Sequence, residues 1–173
     1  ESSLKGFSAD EMVNFVALGW IFRSFYYNNV DREVAAEVRE GKIGTQLLRP
    51  VNYPAAKLVA ALGESAFRLV FFTAPIALVV GLVFGLPEPA GTTAALATAL
   101  SVFLAFLVMG GVNFLVGLAA FPLKQIEGLI WAKHMVVQLL SGLLVPLAFF
   151  PPAAARILES LPFAAISQSP VLI

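Results

Sequence analysis

The 173-residue chain is 59% hydrophobic and only 13% charged, with eleven basic residues, eleven acidic residues and a mean hydropathy of +0.86. A soluble domain of this length needs far more polar surface, so the composition predicts an integral membrane protein. The formal net charge of zero gives no sign of a nucleic-acid partner, and the absence of cysteine excludes disulfides and thiolate metal sites.

The N-terminal segment ESSLKGFSADEM has neither the basic start nor the apolar run of a signal peptide, and it lacks an initiator methionine. We therefore expect residues 1–173 to be a single transmembrane domain and a fragment of a longer protein. The first span is predicted at residues 12–30, although Arg23 interrupts its apolar run. Trp20, Tyr26 and Tyr27 suit the membrane interface, and Arg23 can snorkel to that interface or face protein.

The polar segment VREGKIGTQLLRPVNYP follows the first span, and residues 31–54 are predicted to form a cytoplasmic helix and an elbow. Val30, Val34 and Val38 recur every four residues, which predicts a short helix with one apolar stripe over residues 29–40. Asparagine at the start and a glycine just after the end suit the caps of such a helix.

The charge of this short helix indicates what it contacts. Four acidic residues stand against two basic ones, whereas the inner leaflet is itself anionic and attracts basic segments. Glu33 and Glu37 are four residues apart with no basic residue between them on that face, which is unfavourable unless something outside balances them. A protein partner therefore fits this helix better than a lipid surface.

The elbow that follows, GKIGTQLLRPVNYP, contains basic residues and no acidic ones. Gly41 and Gly44 are predicted to make sharp turns, because glycine adopts positive φ angles readily. Pro50 and Pro54 prevent one continuous helix, since proline lacks the amide hydrogen that an interior helical position donates.

Three further uncharged runs are long enough for helices that cross the membrane, since a crossing takes about 20 apolar residues. The predicted spans are residues 64–86, 92–120 and 128–149. Residues 150–173 are predicted to form an outer re-entrant segment, because its two apolar pieces are too short to cross. The predicted fold is all-α, with about four transmembrane helices, the cytoplasmic amphipathic helix and this re-entrant segment.

Basic residues are distributed unequally between the two sets of loops that four alternating spans create. One set holds eight of them and includes the segment at residues 31–54, whereas the other set holds Lys5 and Arg156. Cytoplasmic loops carry the excess of basic residues in membrane proteins. The prediction is a multi-pass protein of the inner (plasma) membrane with the elbow in the cytoplasm.

Three stretches of the chain resemble a known family: DREVAAEVREGKIGTQLLRPVNYP, FPLKQIEGLIWAKHMVVQLLSGLLVPLAFFP and LPFAAISQSPVLI. They are similar to the membrane permease subunits of ATP-binding-cassette (ABC) exporters of the type-two (ABC-2) class. Family members typically have six spans, of which this chain looks like the second to the fifth. The resemblance implies that the short cytoplasmic helix is a coupling helix that docks on a separate ATPase subunit. The implied docking residues are Asp31, Arg32, Glu33, Glu37, Arg39, Glu40, Gly41 and Lys42.

The resemblance also implies the partners and the activity. ABC ATPase subunits, a second identical or related permease chain and membrane lipid are the implied partners. The implied activity is export of an amphipathic or hydrophobic substrate, such as a drug, a lipid or a peptide, driven by ATP hydrolysis on the separate ATPase. The chain has no G-x-x-x-x-G-K-[ST] phosphate loop. We therefore expect no catalytic residue, cofactor or metal in this chain, with ATP and magnesium on the partner.

Several polar residues in or beside the apolar helices have two interpretations. Asn113, Gln138 and Ser141 either mediate helix packing or line a substrate path. Glu64 and Arg68 are four residues apart and either form an ion pair at the interface or take part in transport.

Two other classes of function are weighed against the exporter. An ATP-independent carrier or channel normally shows intramembrane charges or repeated interrupted helices, and neither is evident in the sequence. An intramembrane enzyme depends on Glu127 and His134, which are seven residues apart and have no nucleophile partner. A lone histidine without a second ligand at helical spacing does not indicate a metal site.

Overall fold

The structure is a computed structural model, and it describes residues 9–84, 91–123 and 125–140. These residues form helices joined by short connections, with no strand among them. A π-helical turn, Leu69–Thr73, joins the fourth helix to the fifth. The helices are α1 (Ala9–Tyr26), α2 (Val30–Arg39), α3 (Ile43–Leu47), α4 (Tyr53–Arg68), α5 (Ala74–Phe84), α6 (Thr92–Leu118) and α7 (Glu127–Leu140).

Within the described ranges, two helical segments are long and apolar enough to cross a membrane. They are Tyr53–Leu82, with 30 residues, and Thr92–Leu118, with 27 residues. In their most apolar windows only 11% and 33% of the residues, respectively, are buried inside the chain. A core helix of a soluble protein is mostly buried, so the exposed apolar faces of these two helices suit lipid or a second membrane chain.

Helix α6, Thr92–Leu118, occupies most of the span predicted at residues 92–120. The helix that contains the predicted span 64–86 begins earlier, at Tyr53, because a cap forms there. Asn52 Oδ1 accepts a hydrogen bond from the Ala55 amide at 3.0 Å, and proline occupies the first turn, where its missing amide hydrogen is harmless.

The other two predicted spans differ in how much of them the structure describes. The helix predicted at residues 12–30 is α1, which ends at Tyr26 and is not among the helices apolar enough to cross. Of the span predicted at residues 128–149, α7 is described as far as Leu140. The rest of that span and the predicted re-entrant segment, residues 150–173, lie outside the described residues.

The short helix α2 packs along α6, and both helices contribute to a hydrophobic core that also contains buried residues of α1, α4 and α7. Val30 and Val34 of the predicted apolar stripe are completely buried, and Val38 packs against the same cluster. Gly117 of α6 lies directly beneath α2, where an added Cβ would be 3.0 Å from the Asp31 carbonyl oxygen. The stripe predicted from the sequence is therefore confirmed, and it faces the chain's own helices.

The C-terminal end of α1 is tied to α4 through Arg68. The Arg68 guanidinium donates hydrogen bonds to the carbonyl oxygens of Ser24, at 3.2 Å, and Tyr27, at 2.8 Å. It also pairs with Glu64 one turn earlier on α4. The ion pair predicted for Glu64 and Arg68 is thus confirmed, and the same arginine satisfies two carbonyl groups where α1 ends.

The two glycines predicted to make turns in the elbow behave differently. Gly41 has a φ angle of +72° and ends α2 with a turn, as predicted. Gly44 lies inside α3, and its predicted sharp turn is wrong. The elbow contains one more helical turn than expected because residues 43–47 have no proline among them.

Candidate functional site

The exposed end of α2 carries the most accessible of the residues implied to dock on an ATPase. Arg39, Glu40, Gly41 and Lys42 are all exposed, and we call these four residues the docking surface. The Glu40 carboxylate and the Lys42 ammonium pair at 2.6 Å. The hydrogen bond to Glu40 raises the pKa of Lys42 above its ordinary value, so Lys42 keeps its positive charge at neutral pH.

Glu33 and Glu37 have partners inside the chain. Lys57 of α4 donates hydrogen bonds to Glu37, at 2.8 Å, and to Glu33, at 3.2 Å. The Tyr53 hydroxyl donates a further hydrogen bond to Glu37 at 2.6 Å. The expectation that an outside partner must balance this acidic pair is therefore corrected, because Lys57 balances both carboxylates.

Opposing effects set the pKa of Glu37. Burial raises it, but the hydrogen bonds from Lys57 and Tyr53 and the charge of Lys57 together outweigh burial and lower the pKa below its ordinary value of 4.5. Glu37 is consequently an anion at neutral pH. It joins α2 to the first turns of α4.

Asp31 and Arg32, at the start of α2, have different surroundings. Asp31 is 1% exposed, accepts a hydrogen bond from the Arg32 amide and forms an ion pair with Lys133 of α7 at 2.5 Å. It therefore does not belong to an accessible docking face, contrary to its predicted place there. Arg32 is half-buried, and its guanidinium donates a hydrogen bond to Asn29 and lies 4.0 Å from the Glu127 carboxylate.

The residues considered for a substrate path differ in their surroundings and in whether the structure describes them. Asn113 is completely buried and hydrogen-bonded on both sides of its amide, to Asn28 and to Lys133. Its surroundings are those of a residue that joins helices. Gln138 lies on α7 and is partly buried, whereas Ser141 is outside the described residues.

An apolar groove lies between α1 and the continuous segment of α4, the π-helical turn and α5. Its volume is about 590 Å³. The hydroxyls of Ser24 and Thr73, which are hydrogen-bonded to each other, line the groove together with Arg68. Asn113 and Gln138, the two predicted path residues that the structure describes, do not line this groove. Its lining consists of Ala17, Trp20, Ile21, Ser24, Arg68, Phe72, Thr73, Ile76 and Val80.

The residues considered for an intramembrane enzyme do not share a site. The Glu127 carboxylate is on the exposed face near Arg32. His134 Nδ1 is 2.8 Å from the carbonyl oxygen of Ile130, one turn earlier on α7. Among the residues that the structure describes, no group of three His, Asp or Glu side chains could hold a metal ion.

Sequence reasoning missed the residues that hold α2 in place. Lys57 and Tyr53 are four residues apart at the start of α4, and this spacing places both on one helix face. That spacing is the only sequence signal for their role. Nothing in the sequence indicates that Lys133 is buried against Asp31, which precedes it by 102 residues.

Comparison with known proteins agrees with the helical architecture. The family model described as "ABC-2 family transporter protein" matches residues 1–173. No curated protein and no solved structure matches the chain. Since the match extends over the whole sequence, the chain belongs to the ABC-2 family of transporter membrane proteins.

Proposed function

We propose that the chain is a permease subunit of an ABC exporter that couples ATP hydrolysis by a separate ATPase subunit to the export of an amphipathic or hydrophobic substrate. The full-length family match carries this proposal. The permease is expected to work with a second permease chain, identical or related, in the inner (plasma) membrane. ATP and magnesium belong to the ATPase in this proposal.

The shape and attachment of α2 support its role as the coupling helix. One face of α2 is buried against α6, and two acidic side chains are bound by Lys57 of α4. The docking surface at the other end remains exposed, with charges of both signs. A helix that is firmly attached to the membrane helices and exposes a charged end is suited to transmit force from a docked protein.

The exposed apolar faces support a membrane assembly. Large hydrophobic side chains on the π-helical turn, α5 and α6, including Phe71, Leu82, Leu96 and Leu115, are more than half exposed in the single chain. Lipid and a second permease chain would cover such faces. The apolar groove beside α1 is suited to a hydrophobic portion of a substrate.

Photocrosslinking tests this proposal on the full-length protein, purified in mild detergent from its own membrane. A crosslinking amino acid replaces Glu40, whose side chain is 53% exposed. Capture of an ABC ATPase, identified by mass spectrometry, is the expected result. The matched control carries the same probe at Leu96 on α6, which is 72% exposed on an apolar helix and should capture lipid or permease.

Two outcomes would contradict the proposal. If Glu40 captures only lipid or the chain itself, α2 is not a docking helix, and an ATP-independent carrier or channel becomes the better interpretation. If the probes at Glu40 and Leu96 capture the ATPase equally, the contact is not specific to the docking surface.

A further inference from the structure

A buried polar network joins α2 to α6 and α7. The Lys133 ammonium, on α7, donates hydrogen bonds to Asp31 of α2 and Asn113 of α6. The Asn113 amide in turn donates to the carbonyl oxygen of Asn28, at 2.9 Å, and to its side-chain oxygen, at 2.8 Å. These four residues are at most 8% exposed. One connected set of bonds therefore links α2, α6, α7 and the connection between α1 and α2.

Such a network positions helices more than it stabilises them. The attraction within a buried ion pair is largely offset by the loss of hydration, so an apolar pair of similar size can be equally stable. Hydrogen bonds are directional, however, and a partner removed from a buried charge leaves that charge uncompensated. The arrangement therefore favours one relative position of α2, α6 and α7.

Close backbone packing at the same place reinforces this position. A Cβ on Gly117 of α6 would be 2.8 Å from the Val34 Cβ and 3.1 Å from the Asp31 Cα. The backbones of α2 and α6 thus touch directly beside the buried ion pair. Sliding α2 along α6 would break the hydrogen bonds of Asp31 and bring its backbone against bulkier neighbours of Gly117.

The attachment of α2 to α4 differs in its exposure to solvent. The Lys57, Glu37 and Glu33 side chains are 14%, 17% and 42% exposed, respectively. Ion pairs that reach solvent are weaker and are screened by salt. Of these two ionic attachments of α2, the one through Lys133 is therefore dry and the one through Lys57 is partly hydrated.

We propose that Lys133 is a positioning residue that makes α2, α6 and α7 move as one body when the ATPase displaces α2. This inference rests on the proposed function, because it requires a partner that moves α2. Displacement of α2 reaches α6 through Asp31, Lys133 and Asn113, and it reaches the membrane interior because α6 is one continuous helix of 27 residues. The attachment through Lys57 is not needed for this transmission.

Distances between spin labels test the proposal in the complex with its ATPase. The chain has no native cysteine, so Ala36→Cys on α2 and Leu96→Cys near the start of α6 give one labelled pair. Labelled chains are diluted with unlabelled ones, so that only distances within a chain are measured. In the otherwise unchanged chain, we expect one narrow distance distribution that vanadate trapping of the ATPase leaves unaltered.

The decisive variant combines Asp31→Asn with Lys133→Met. This combination removes both charges, so no buried charge is left without its partner. We expect the ATPase to remain bound and to hydrolyse ATP, whereas the narrow α2–α6 distribution is lost on trapping. Lys57→Met, which removes the partly hydrated attachment, is the control and should retain the narrow distribution. Asp31→Leu with Lys133→Met replaces the decisive pair if the first does not fold.

Each remaining outcome has a definite meaning. A distribution in the double variant that stays narrow and unaltered on trapping overturns the role of Lys133. A shift of the α2–α6 distance in the otherwise unchanged chain shows that these helices do not move as one body and also overturns it. If no ATPase copurifies with the unlabelled chain, the proposed function fails before any distance is measured, so the two failures are distinguishable.

Discussion

Glu37 links α2 to α4 through an ion pair and a hydrogen bond. It accepts hydrogen bonds from Lys57 and Tyr53, both on α4, while its own backbone belongs to α2. Deleting this carboxylate would leave the Lys57 ammonium with Glu33 alone, at the longer distance of 3.2 Å. The main role of Glu37 in this structure is therefore to attach α2 to α4.

The lowered pKa of Glu37 predicts how stability depends on pH. Because the pKa in the folded chain is below the ordinary value of 4.5, the ionised carboxylate stabilises the fold fully above that value. The stabilisation is lost as the pH falls through the folded pKa. In detergent, the melting temperature of the unchanged chain should exceed that of Glu37→Gln at pH 7, and the difference should shrink below pH 4.5. A difference independent of pH would contradict this origin.

Gly41 provides a second prediction at the scale of the residue. Its φ of +72° is unfavourable for any residue with a Cβ, so Gly41→Ala should destabilise the fold by about 1 kcal/mol. Gly44→Ala is the matched control, because Gly44 is helical and no atom would lie within 4 Å of its added Cβ. Thermal unfolding in detergent should show a lower melting temperature only for Gly41→Ala. Equal losses would exclude the φ angle as the cause.

Features that depend on neighbouring residues could be predicted from the sequence, whereas features that depend on distant helices could not. The stripe of Val30 and Val34 and the turn at Gly41 depend on nearby residues, so periodicity and glycine chemistry were sufficient. The partner of Asp31 depends on the packing of a distant helix, and a charged residue in a sequence looks the same whether it is exposed or buried. For that reason Asp31 was placed on the docking face, whereas the fold buries it.

At the scale of the helix, the contact between α2 and α6 depends on Gly117. An added Cβ there would be 2.8 Å from the Val34 Cβ and 3.0 Å from a backbone oxygen of α2, which cannot rotate away. Gly117→Ala should therefore push α2 off α6 and destabilise the fold by about 1–3 kcal/mol. Thermal unfolding in detergent measures this change.

Gly111 is the matched control for that substitution. It lies on the same helix, but no atom would be within 4 Å of an added Cβ, so Gly111→Ala should leave the melting temperature unchanged or raise it slightly. Loss of stability in both variants would show that α6 itself, and not its contact with α2, is sensitive to alanine.

Helix boundaries were predictable where apolar length alone decides them. Residues 92–120 form one uncharged run, and α6 occupies nearly all of it. The span predicted at residues 64–86 starts later than α4, which begins at Tyr53, because the prediction followed the uncharged run and Lys57, Glu64 and Arg68 precede that run. Each of the three has an ion-pair partner, which allows a helix to continue through charged positions.

At the scale of the whole molecule, the exposed apolar surface and the unequal charges of the loops are consistent with one orientation of the chain in a membrane. The long helices expose apolar side chains such as Leu82 and Leu96, and contact of such side chains with water is unfavourable. Basic residues gather in the segment that includes α2 and the elbow. A chain with this distribution is expected to place α2 in the cytoplasm and the start of α6 outside.

This orientation gives the last prediction, which cysteine labelling in intact cells can test. Thr45→Cys in α3 and Thr93→Cys at the start of α6 are both exposed positions, and the chain has no cysteine that would add background labelling. A membrane-impermeant maleimide should label Thr93→Cys in intact cells and Thr45→Cys only after the membrane is opened. Labelling of Thr45→Cys from outside would invert the orientation and place α2 beyond the reach of a cytoplasmic ATPase.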